Sequence, residues 1–266
     1  MLDQFNREIH YLRISITDKC NLRCTYCMPE EGIPFKPHSA IMSFEEIVKV
    51  VEAAAELGIN KIRLTGGEPL VRRDVVELVR MIKSIDGIEH LGMTTNGVLL
   101  DKLAQPLRDA GMDSVNISMD TLKPERYKKI TRIGDISFTL RGIDAAIAAG
   151  FDKIKINVVV MENTPDNEIK DMENFCNDKG LILQLINHYD LSAEKKNNYK
   201  FDRPPKCAIC NRIRLTADGI LKPCLHSNQE IPVNPDDIIS SLKQTILDKP
   251  ENGSVCTNRS MIEIGG

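Results

Sequence analysis

Cys20-Asn21-Leu22-Arg23-Cys24-Thr25-Tyr26-Cys27 is the stretch on which the reading of this chain turns. Three thiols fall within one short segment, spaced by three residues and then by two. Thiolates are soft ligands, and clustered ones suit zinc or an iron–sulfur cluster. A closed structural zinc site takes four ligands, and no fourth Cys or His stands nearby. Three cysteines on one loop hold three irons of a 4Fe–4S cube and leave the fourth iron open to a small chelating ligand. The alternatives are a few buried thiols, or a zinc loop completed from elsewhere in the chain.

Working outward, residues 10–16 alternate as a strand does and run directly into the cysteine loop. Ser43 followed by Glu46 reads as a capping box that opens a helix over Phe44–Leu57, and Gly58 stops it. Lys61–Thr65 is the next strand, ending in Gly66-Gly67-Glu68-Pro69. The rhythm continues with helix 73–85, strand 89–93, helix 98–109, strand 114–118 and helical segments through 123–149. Strand 154–160, helix 165–179 and strand 181–187 complete it. Strand–helix units of this length predict an α/β fold with a parallel sheet and helices outside. Six units are too few for a closed eight-stranded barrel, so a partial barrel is expected over residues 1–190. Residues 191–206 are polar, lysine-rich and contain a double proline, which reads as a linker or mobile surface loop. The remainder, counted with that linker as 191–266, is expected to form a small second domain.

The chain has 266 residues, with 42% hydrophobic and 27% charged residues and a formal net charge of −3. That supports a sizeable core and excludes a general nucleic-acid or membrane binder. No apolar run approaches a membrane span, and residues 1–19 lack a signal-peptide core. A cytoplasmic location is expected, where grouped cysteines point to metal rather than to disulfides.

In parallel α/β architectures ligands gather at the carboxyl ends of strands. The cysteine loop and Gly66–Pro69 both follow strands, so both are expected at one mouth. Thr94 and Ser118 end the next two strands, where hydroxyls either cap the strand or meet a ligand. A second cysteine group, Cys207, Cys210 and Cys224, brackets Arg212 and Arg214. By spacing alone it could be a zinc knuckle. Guanidinium and ammonium groups match phosphate oxygens, and the alternating pairs Lys61/Arg63 and Lys153/Lys155 each face one side of a strand. If that side is the barrel interior, such charge calls for an anionic partner.

The spacing of Cys20, Cys24 and Cys27, with an aromatic before the last, resembles the radical S-adenosylmethionine (SAM) superfamily. The flanks Arg13-Ile-Ser-Ile-Thr17-Asp18-Lys19 and Met28-Pro29 resemble the GTP 3′,8-cyclase family of molybdenum cofactor biosynthesis. The resemblance implies that Cys20, Cys24 and Cys27 hold a 4Fe–4S cluster. Tyr26, Gly66, Gly67, Glu68, Thr94 and Ser118 would bind SAM, with Glu68 receiving its amino group. Reduction by an external electron donor would then cleave SAM and yield a 5′-deoxyadenosyl radical.

The run from Cys207 through Arg212, Arg214 and Thr216-Ala-Asp-Gly to Pro223-Cys224 is close to that family's signature. It implies an auxiliary 4Fe–4S cluster on Cys207, Cys210 and Cys224. Lys61, Arg63, Lys155, Arg212 and Arg214 would address GTP, and Arg13 would act in catalysis by steering the substrate radical. The product would pass to a cyclic pyranopterin monophosphate synthase. The ending Gly265-Gly266 resembles the family's double-glycine tail. The chain departs from the pattern at Gln184 and Asn187, which stand where a charged pair is usual, in its short second part, and in Cys256, which has no counterpart. A relative with the same SAM half and another substrate is the second reading, and a non-enzymatic iron–sulfur protein the third.

Overall fold

The computed structural model describes residues 1–196, 199–202 and 205–265. Six parallel strands build the partial barrel: β1 Tyr11–Ser15, β2 Lys61–Thr65, β3 His90–Thr95, β4 Ser114–Ser118, β5 Lys153–Val160 and β6 Ile182–Asn187. Helices α1 Phe44–Glu56, α2 Val75–Lys83, α3 Leu100–Asp109, α4 Pro124–Thr131, α5 Ile136–Ala148 and α6 Asp166–Asp178 cover the outside. Three more strands, β7 Arg212–Leu215, β8 Ile220–Lys222 and β9 Ile231–Pro232, continue the same sheet. Helix α7 Ile238–Leu247 packs beside α1, and α8 Met261–Ile264 lies near the end of the chain.

The sheet order is β6-β5-β4-β3-β2-β1-β7-β8-β9, so β1 lies between β2 and β7 and is parallel to both. Alternation explains which way the sheet faces. Leu12, Ile14, Ile62, Leu64, Leu91, Val115, Ile117, Ile156, Ile213 and Leu215 are fully buried in the main core, toward the helices. The intervening positions, Tyr11, Arg13, Lys61, Arg63, Thr94, Asn116, Lys155, Asn157 and Gln184, line the cavity on the other face. Truncating one of the core leucines to alanine removes about 2–5 kcal/mol.

Local signals worked where they were strong. Ser43 and Glu46 form the reciprocal capping box of α1, and Gly58, with φ +83°, lies just past its end. The helical run through 123–149 is divided at Arg132, whose φ is +63°. That break places the Arg132 Nη1 on the carbonyls of Arg23 and Met28, at 2.8 and 2.9 Å. It therefore ties the middle of the cysteine loop to the residue that follows Cys27. Among the described residues, no helix is long and apolar enough to cross a membrane.

Candidate active site

Two cavities adjoin at the mouth of the sheet. The first is lined by Cys20, Cys24 and Cys27, with Tyr26, Gly66, Gly67, Glu68, Thr94 and Ser118 around them. All the residues expected to serve the first cluster and SAM are thus brought together. The backbone explains the arrangement. Gly67 N–H donates to the Thr17 carbonyl and Glu68 N–H to the Lys19 carbonyl, both at 2.8 Å. A Cβ at Gly67 would collide with the Lys19 carbonyl, so only glycine allows the turn after β2 to close on the segment that enters the cysteine loop. On its other side the loop is fixed to the end of α4, by Arg23 N–H to Thr131 O at 3.1 Å and Thr25 N–H to Ile130 O at 3.0 Å.

Glu68 is 1% exposed. Its carboxylate accepts from Leu70 N–H at 3.0 Å, the Thr95 hydroxyl at 2.7 Å and Asn96 N–H at 2.7 Å. A carboxylate has room for about four donors, so one position is left for a ligand ammonium. Burial pushes Glu68 up to about 7 against those three bonds. Tyr26 turns to the strand ends: its hydroxyl donates to Asp120 at 2.8 Å, and Asp120 also accepts from Val159 N–H at 2.7 Å. Asp120, pushed up to about 6 by burial, was not among the sequence candidates. Its place two residues beyond Ser118 is the signal that marked it.

Burial pushes the Cys20 thiol up to about 11 and Cys27 to about 12, and holds Cys24 well above its ordinary range. Neighbouring thiols and Asp120 reinforce the last two. Such a set becomes three thiolates only with strong positive charge among them, which iron supplies. Three thiols lining one cavity are the ligand type of an iron–sulfur cluster.

The second cavity has a volume of about 400 Å³, within the range of small-molecule sites. Cys207, Cys210 and Cys224 line it, and so do Arg13, Lys61, Arg63, Lys155, Arg212 and Arg214. Strand register crowds these cations. Arg13 pairs with Arg63 on one side and Arg214 on the other, so the three guanidinium side chains share one face of neighbouring strands. Burial and then Arg214 press Arg13 down to about 9. Burial likewise lowers Lys61 and Arg214.

Tyr11, which the sequence marked only as a strand residue, is the hub of this wall. Arg63 Nε donates to its hydroxyl at 2.9 Å, while Lys61 and Arg212 lie over its ring at 5.2 and 5.1 Å. Burial works to raise Tyr11, but Arg63, Arg13 and Arg212 outweigh it and bring it to about 8. Its spacing two residues before Arg13 was the available clue. Arg214 Nη1 reaches the Gly265 carbonyl at 2.6 Å, which anchors the first glycine of the tail; Gly266 lies outside the described residues.

Two other cations that line this cavity support the second thiol group. Arg7 donates to the carbonyls of Cys207 and Glu251, both at 3.0 Å, and of Pro250 at 2.7 Å. Lys249, 2% exposed, donates to the carbonyls of Arg212 and Pro223 at 2.8 and 2.9 Å. Burial raises Cys210, but Lys249 and Arg212 outweigh it and the thiol is lowered overall, whereas burial leaves Cys224 raised. His226 was also missed. Burial, then Lys195 and Arg214, press it down to about 4, and its ring lies 5.1 Å from that of Tyr189.

The departures from the family pattern find places too. Gln184 lines the second cavity and donates to Asn157 at 2.9 Å. Asn187 donates to the Phe201 carbonyl at 2.8 Å and accepts Phe201 N–H at 3.2 Å, so a neutral amide pins part of the 191–206 stretch. Cys256 lines neither cavity. It is 1% exposed, packs with Leu191 and Ile264, and its thiol points to Asn258 Oδ1 at 3.3 Å.

The two cavities share Thr94, Asn157, Ile186 and Tyr189, so ligands in each would meet there. With that geometry in view, the comparisons set the class. The radical SAM superfamily pattern matches residues 14–176. The fold is similar to that of Streptococcus suis SuiB bound to S-adenosylmethionine, with a TM-score of 0.67 and 16% identity, over 89% of this chain and 65% of that one. Among curated relatives, a GTP 3′,8-cyclase of Alkaliphilus oremlandii is 41% identical and one of Petrotoga mobilis 40%, each across the whole of both chains. The chain belongs to the GTP 3′,8-cyclase family of the radical SAM superfamily. The Alkaliphilus alignment spans 320 positions against 266 residues here, so that relative carries residues this chain lacks.

Proposed function

We propose that this chain is a two-cluster radical SAM enzyme that converts GTP to 3′,8-cyclo-7,8-dihydro-GTP. The observation that supports this most is a cavity walled by cations and three thiols, meeting a second thiol cavity at Thr94 and Asn157. Relatives about 40% identical over their whole length carry the name of that activity.

The residues divide by cavity. Cys20, Cys24 and Cys27 hold the first cluster, and Cys207, Cys210 and Cys224 the second. Gly66 and Gly67 let the backbone approach SAM, Glu68 accepts from its ammonium, and Thr94, Ser118 and Tyr26 complete its surroundings. When bound and reduced by an external donor, the cluster and SAM supply hydrogen abstraction from carbon. Lys61, Arg63, Lys155, Arg212 and Arg214 bind the triphosphate, because desolvated like charges held on neighbouring strands are relieved by a polyanion. Arg13, at the centre of that row, steers the substrate toward Thr94. Tyr11 fixes Arg63 and excludes water behind it. The product is a substrate for a downstream cyclic pyranopterin monophosphate synthase.

The test is an anaerobic assay of iron-reconstituted protein with SAM, dithionite and GTP, following 5′-deoxyadenosine and a GTP-derived product of unchanged mass. Both are expected together. SAM cleavage that leaves GTP untouched would move the reading to another substrate, with Gln184 as the first position to examine.

A further inference from the structure

Lys195 belongs to the polar stretch that the sequence marks as a linker, yet it reaches into the second cavity. Its Nζ lies 2.6 Å from Cys207 Sγ. The main chain fixes the residue, with Lys195 N–H donating to the Ser254 carbonyl at 3.0 Å. The neighbouring Gly253 N–H approaches the same sulfur at 3.5 Å. Cys207 therefore faces a charged donor and a backbone donor together. The first cavity differs: the donors to Cys20 are neutral, Leu22 N–H at 3.4 Å and the Asn96 amide at 4.0 Å.

We infer that Lys195 is a cluster-contact residue whose ammonium donates to the Cys207 thiolate and raises the reduction potential of the second cluster. The inference rests on the proposed second cluster. Its physical basis is the charge change on reduction. A cluster held by three thiolates becomes more negative by one charge when it takes up an electron, and hydrogen bonds to its sulfurs set the potential. A charged donor stabilises the more negative state more than the less negative one. Lys195 thus makes the second cluster easier to reduce than its ligand set alone would.

The experiment uses full-length protein carrying Cys20→Ala, Cys24→Ala and Cys27→Ala, which removes the first thiol group and keeps the second. Iron and sulfide are counted, and the cluster is titrated with dithionite, which supplies the electron, while its reduced state is followed by electron paramagnetic resonance. Lys195→Met and Lys195→Gln are expected to weaken reduction about tenfold, a shift of about 59 mV to lower potential for a one-electron couple. Lys195→Arg, which keeps the charge, stays near the parent. Loss of iron from both neutral variants with retention in Lys195→Arg also supports the contact. Unchanged potentials in the neutral variants, or an equal shift in Lys195→Arg, overturn the inference while the second cluster stands. A triple-alanine protein that binds no iron overturns the cluster reading itself, and the inference with it.

Discussion

Two cavities share one sheet, and each carries three thiols, yet charged neighbours act differently in the two: acids add to burial around Cys20 and Cys27, and cations outweigh it at Cys210. Around Cys20, Cys24 and Cys27 the acids Glu68 and Asp120 add to burial in raising the thiols, and Arg23 opposes them only at Cys20. Glu68 and Asp120 are pushed up to about 7 and about 6, and the thiols rise with them. Around Cys210 the neighbours are Lys249 and Arg212, and the thiol falls despite its burial. The same ligand type has been placed in a site short of positive charge and in a site with an excess of it. On the proposed reading the first takes cationic groups, iron together with the sulfonium and ammonium of SAM. The second holds positive charge that only an anion relieves.

The sharpest way to break this division is to remove one thiol from each side. Cys24→Ala is expected to reduce 5′-deoxyadenosine formation to background. Cys207→Ala should abolish the GTP product and still cleave SAM within about tenfold of the parent, since Glu68 and the first thiol set are intact (a tenfold change is about 1.4 kcal/mol). Equal loss of SAM cleavage in both variants would mean that the cavities do not divide the chemistry.

A smaller effect comes from Glu68. Its ordinary value is 4.5 and the folded value about 7, so between these the folded state binds more protons than the unfolded state. Stability of the cluster-free protein therefore falls as pH rises from about 4.5 to 7, by about 3 kcal/mol from this group. Asp120, raised from 3.8 to about 6, adds a slope of the same sign at lower pH. Urea midpoints measured across that window should show the decline, and Glu68→Gln should flatten its upper part. A rise in stability over pH 5–7 would contradict a carboxyl whose burial outweighs its three hydrogen bonds.

The smallest effect lies on the cationic side. Arg212→Gln removes one of the charges that lower Cys210. Iodoacetamide modification of that thiol at pH 8 should slow several-fold, because thiolate fraction falls about tenfold per unit rise in pKa. An unchanged rate would remove Arg212 from the account of that site and leave Lys249 alone.

The thiol spacing, Gly66–Pro69 and the strand rhythm were legible because each is a local pattern with a local physical cause. The cations were legible as types, but their number at one point was not. Arg13, Arg63 and Arg214 meet only through the register of β1 with both β2 and β7. Tyr11 was hidden by the same circumstance, since its role depends on Arg63 and Arg212 from two other strands. Lys195 was hidden for another reason: composition marks residues 191–206 as solvent-facing, and one long side chain runs against that average. Cys256 drew notice as a thiol, and the fold uses it as a small apolar residue.

The pairing of β1 with β7 also bears on the order in which the molecule forms. It joins Tyr11 to Arg212 and Arg13 to Arg214, contacts of very long sequence separation. Loop closure over such a distance is entropically costly, and structures rich in such contacts form slowly. The turn after β2 closes on the segment before the cysteine loop over a shorter separation, but the bonds of that loop to Ile130, Thr131 and Arg132 are again long-range. Met261 and Ile262, near the end of the chain, also line the first cavity, so both thiol pockets close only once the carboxyl-terminal segment has docked.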